Sequence, residues 1–211
     1  MSVPDRTIGP MKNAGFVLLS LLAAACHTES APVVPLRAKA SPPPETTLVW
    51  VGRGEAERFD RGRWVRAEAF DYEFTVEQRR YPDHWESVKH MTRRHPAYDG
   101  SAGPRDQTLY FELHLGPSSP AGKLPVRIES TLGPGEGSSD KTFERASLVM
   151  HPDISSFAPF DTYRIEQSYL YREGKLTETV ALDKGDRPWV RNRETATLFA
   201  EHRFDGPPTV R

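Results

Sequence analysis

The run Phe70-Asp71-Tyr72-Glu73-Phe74-Thr75-Val76-Glu77 alternates apolar and polar residues without a miss. Only an extended strand puts alternate side chains on opposite faces, so Phe70, Tyr72, Phe74 and Val76 share one side. A strand with one apolar and one acidic face belongs to an antiparallel sheet that is wet on one side.

Other segments repeat the pattern. Leu109, Phe111, Leu113 and Leu115 share a face within 107–115, and 125–131 is a shorter copy. Thr46 to Gly52 is a β-branched, aromatic run ended by glycine, with a charged loop expected over 52–62. Strands are also expected over 143–150 and 195–203, and less clearly over 85–93, with a loop at 152–159. Segments 163–172 and 175–182 flank Glu173-Gly174, which predicts a hairpin with a two-residue turn. The 19 prolines and 15 glycines punctuate the chain at intervals too short for long helices. The expected fold is all-β, an antiparallel β-sandwich or β-barrel of about nine or ten strands. It spans residues 46–205, with 206–211 as a tail.

The start of the chain has a different character. Lys12 precedes an apolar stretch, Phe16 to Ala25, which is about half the length needed to cross a bilayer. A positive residue, a short apolar run and small residues follow the order of a secretory signal peptide, here 1–25, with Met11 a better start than Met1. The ending Leu22-Ala23-Ala24-Ala25-Cys26 resembles the lipobox of bacterial lipoproteins, with Ala23 where leucine is commonest. The resemblance implies cleavage before Cys26 and a diacylglycerol, and then palmitate, on that residue. His27, where aspartate commonly retains a lipoprotein at the inner membrane, implies the periplasmic face of the outer membrane. The alternative is an ordinary signal peptide cleaved near Ala25. Residues 26–45 are Pro- and Ala-rich, without period, and read as a tether that spans up to about 60 Å in the polyproline conformation.

Net charge is −1 over the whole chain, and −2 without residues 1–25, so bulk charge recruits no nucleic acid. A single cysteine excludes an internal disulfide framework.

Catalytic signatures are missing. There is no Gly-x-Ser-x-Gly elbow and no cofactor motif, and Gly133 to Ser139 opens no helix, so it reads as a flexible loop. The densest polar stretch, 83–106, puts His84, Glu86 and His90 on one strand face as a candidate metal set. The reading favoured over metal binding makes Trp85, Lys89 and Arg93 a solvated face and leaves the histidines only hydrogen-bonded. Most strand carboxylates, among them Glu73, Glu112, Glu129, Glu166 and Glu178, are expected to point outward. Tyr163, Tyr169 and Tyr171 fall on one face and are the candidate lining of a pocket for an apolar or sugar ligand.

The sequence thus favours a non-enzymatic, membrane-anchored binding or envelope-structural module with no cofactor. Its partners are the membrane, through the lipid on Cys26, and an envelope protein or lipid. The alternatives are a carrier of lipid or a small apolar ligand in a barrel interior and, more weakly, a metal-assisted hydrolase. Whether Phe70, Phe74, Leu109 and Phe111 fill the core discriminates between the first two.

Overall fold

The computed structural model describes residues 42–204 and the short strand Thr209–Val210. Cys26, the apolar run before it and most of the tether lie outside the described residues.

Ten antiparallel strands close into a barrel: β1 Thr46–Asp60, β3 Tyr72–Arg80, β4 His84–Thr92, β5 Asp106–Leu115, β6 Lys123–Ser130, β7 Gly135–Asp140, β8 Arg145–Met150, β9 Thr162–Leu170, β10 Lys175–Lys184 and β11 Arg187–Arg203. Each pairs with its neighbour in this order, and β1 pairs with β11 from Thr46↔Arg203 to Arg58↔Val190. Closure removes the free edges that an open sheet of this size would expose. Two short strands lie outside the ring. β2 (Arg63–Arg66) extends β1 as a hairpin, and β12 (Thr209–Val210) pairs with Ala200 and Glu201.

Several expectations change. The charged stretch after Gly52 is not a loop but the second half of β1. Gly133 to Ser139 supplies most of β7. There, Gly135 and Gly137 pack against Met150 and Leu148 so closely that a Cβ at Gly137 would lie 2.1 Å from the Ser147 carbonyl. Phe70 is buried but sits on a 3-10 turn before β3. The expected hairpin forms, but its connection is four residues and not two: the 3-10 turn Tyr171–Glu173 and the left-handed Gly174 join Leu170 to its partner Lys175. Part of the expected tail is β12.

The interior is filled. Phe70, Phe74, Leu109 and Phe111 are all buried, as are Leu48, Trp50 and Ile128. The end at which the chain enters β1 is packed with aromatics, with Trp85 stacked on Phe143 at 5.3 Å and edge-on to Tyr169 at 6.0 Å. Pro42 is buried there, its carbonyl accepting a 2.5 Å bond from Arg80. The opposite, distal end is covered by residues 93–105 and 151–161, which bury Tyr98, Ala102, Ala158 and Phe160. Tyr98 donates to the Gly103 carbonyl at 2.7 Å, and Gln107 Nε2 donates to the Phe157 carbonyl at 2.9 Å.

Candidate functional site

The polar residues inside this barrel lie in phase with apolar ones. On β4 the inward positions are Trp85, Ser87, Lys89 and Met91; on β10 they are Leu176, Glu178, Val180 and Leu182; on β11 they are Val190, Asn192, Glu194, Ala196 and Leu198. A charge that keeps the apolar phase must enter the core. Glu178 and Glu194 are direct cross-strand partners, a pairing that like charges disfavour.

Lys89 resolves that repulsion. Its ammonium donates to Glu194 Oε2 and lies 3.5 Å from Glu178 Oε2 and 4.5 Å from the Phe74 ring centre. Tyr72 reaches the other oxygen of Glu194 from across β1, and Gly54 makes this possible. Gly54 pairs with Tyr72 on one side and Glu194 on the other, and a Cβ there would lie 2.5 Å from the Tyr72 ring.

Electrostatics follow the geometry. Burial lowers the proton affinity of Lys89, but Glu194 and then Glu178 outweigh it and hold the ammonium above its usual range. Burial pushes Glu178 up to about 7, with Lys89 opposing and Glu194 adding to the shift. Burial likewise raises Tyr163 and Tyr72, and Glu194 adds to both.

Beside this cluster lies a cavity of about 50 Å³, lined by Lys89, Glu178, Gln78, Ser87, Gln167 and Tyr163 together with apolar side chains. The Gln167 amide nitrogen is buried without a hydrogen-bond partner among the described residues, while the Gln78 oxygen accepts from the Trp50 indole at 2.8 Å. The space holds a few waters or a ligand of comparable size, far below the several hundred Å³ of a typical ligand pocket.

Of the candidate tyrosines, Tyr169 and Tyr171 stay together with their rings stacked at 6.5 Å, and Tyr163 lies apart from them. Tyr163 lines the cavity, Tyr169 packs between Trp50 and Trp85, and Tyr171 sits on the 3-10 turn, donating to Glu201 at 2.5 Å. The candidate metal set does not converge. His84, Glu86 and His90 share the outer face of β4, but six residues along a strand separate the two histidines by about 20 Å. His90 faces Thr108 Oγ1 at 2.9 Å, whereas His84 stacks on Tyr81 and on His114 of β5. No group of three or more His, Cys, Asp or Glu among the described residues is arranged to hold a metal ion. The assignment of faces on β4 is also reversed: Trp85, Lys89 and Arg93 are 3–4% exposed. Glu178 likewise points inward.

A second unusual region lies outside the barrel wall. At the distal end β1 and β2 project as a hairpin turning at Arg61-Gly62, beside the β10–β11 turn at Gly185-Asp186. Phe59 packs edge-on against Trp64 at 5.2 Å, Arg191 lies 4.4 Å over Trp64, and Lys184 lies 3.5 Å over Trp189.

No family model, curated protein or solved structure matches the chain.

Proposed function

We propose that this chain is a lipid-anchored, non-enzymatic binding module of the bacterial envelope, held at the outer membrane through Cys26 and recognising its partner with the outside of the barrel. The observation that carries the outside-recognition half is the filled interior: about 50 Å³ of free space accommodates no acyl chain. The chain enters at the end built from Pro42 to Thr46, and the projecting hairpin is at the other.

Cys26→Ser tests the anchor. With radiolabelled palmitate, the wild-type protein incorporates label and is processed, whereas the variant takes up none and stays uncleaved. A variant that is still processed at this site, or a wild type that takes up no label, refutes the lipid anchor.

A second reading, a carrier for a very small polar ligand, draws on the buried Gln167 amide, beside Lys89 and Glu178, that lacks a hydrogen-bond partner among the described residues. It requires a ligand of a few heavy atoms to raise the unfolding midpoint, and Gln167→Leu to abolish that shift.

A further inference from the structure

We infer that the distal β1–β2 hairpin, with the adjoining β10–β11 turn, is a docking surface for an anionic lipid bilayer. This inference deepens the outside-recognition reading and rests on it, not on the lipidation of Cys26.

Charge is the first observation. Residues 57–66 and 184–191 hold seven cations and three anions, a net +4 in a chain whose total is −1. Part of that charge is internally used: Arg66 pairs with Asp71, Arg191 with Glu57, and Arg58 lies over the Phe70 ring. Arg61, Arg63 and Arg187 are exposed and form no ion pair among the described residues. They are available to phosphate.

Apolar exposure is the second. Phe59 and Val65 are 37% and 38% exposed at the tip, and Trp64 is half-buried. The strand phase puts Phe59 and Trp64 on one face of the hairpin, because they are cross-strand partners, and Val65 opposite Arg58 on the other. A flat acidic glycan or a protein face covers one side of such a hairpin. A bilayer interface surrounds both, taking the aromatic rings to headgroup depth while the arginines stay with the phosphates.

The test uses the full chain with Cys26→Ser in every sample, so that binding by residues 12–25 is common to all. Vesicles of phosphatidylglycerol and phosphatidylcholine in equal parts are compared with phosphatidylcholine alone. The expected result is sedimentation with the anionic vesicles, weakened by raising salt from about 0.1 M to about 0.5 M. Arg61→Glu/Arg63→Glu and, separately, Phe59→Ser/Val65→Ser each reduce it about tenfold or more, with an unchanged near-ultraviolet spectrum. Brominated phosphatidylglycerol quenches tryptophan fluorescence in the Cys26→Ser protein; Trp64→Phe reduces that quenching, and adding Trp189→Phe removes it.

Equal binding to both vesicle types, unchanged binding by both double variants, or quenching left unchanged by Trp64→Phe combined with Trp189→Phe overturns the inference. So does binding to a soluble anionic polysaccharide without binding to anionic vesicles, which transfers the surface to a glycan. None of these outcomes bears on palmitate incorporation at Cys26. A failed vesicle assay therefore leaves the anchor standing, and a failed palmitate assay leaves the hairpin result intact.

Discussion

Lys89, Glu178 and Glu194 place two carboxylates and one ammonium inside an apolar barrel, an arrangement that costs desolvation and is tolerated only while the charges stay paired. Removing the cation strands Glu194. Lys89→Met is expected to destabilise by about 3–5 kcal/mol in urea unfolding, and adding Glu194→Leu to recover much of that loss. Glu178 makes the stability depend on pH. Its folded-state pKa of about 7 lies above the ordinary 4.5, so the folded protein binds the proton more tightly than the unfolded one. The stabilisation is complete below about pH 4.5 and is lost as pH rises through 7, with an upper bound of about 3 kcal/mol. Glu178→Gln should flatten the urea midpoint between pH 5 and pH 8; an unchanged slope would show that the carboxyl is not protonated in the folded state. These three residues were legible in principle, because each keeps the apolar phase of its strand. Counting Glu178 among outward carboxylates, and Lys89 with a solvated face, gave residue type more weight than phase.

At the level of strands, the sequence marks β3, β5 and the β9–β10 turn clearly because alternation and turn chemistry are local. The distal half of β1, with Gly54 and its charges, carries no such signal. Gly54 is in β1 because the Tyr72 ring crosses it to reach Glu194, a cross-strand fact. Gly54→Val is therefore expected to displace the ring, cost about 1–3 kcal/mol by overpacking, and release the Tyr72 hydroxyl to titrate nearer its ordinary range in ultraviolet absorbance. β7, Gly-Glu-Gly-Ser-Ser-Asp, was invisible for a similar reason. Its glycines are required by Met150 and Leu148 on the neighbouring strand, and Gly137→Ala should lower thermal stability measurably because the new Cβ meets the Ser147 backbone.

For the whole molecule, closure depends on pairing Thr46–Arg58 with Val190–Arg203, segments more than 130 residues apart. Every other barrel pairing joins strands adjacent in the ring's chain order. Closure is the costly step in chain entropy, so refolding is expected to take milliseconds to seconds, with Trp50, at the β1 seam, reporting the slow phase. Stopped-flow fluorescence of the wild type against Trp50→Phe checks this; complete burial within microseconds would refute it.

The sequence by itself determined that the chain is all-β with about ten strands, that most of those strands have one apolar face, and that Cys26 ends a lipobox-like run. These follow from local periodicity and from the short-range order of charge, apolarity and small residues. Only the tertiary structure decided between sandwich and barrel, filled the interior, and brought Lys89 between Glu178 and Glu194. Those outcomes depend on which strands meet, and strand pairing across a barrel is set by packing between residues that the sequence holds far apart.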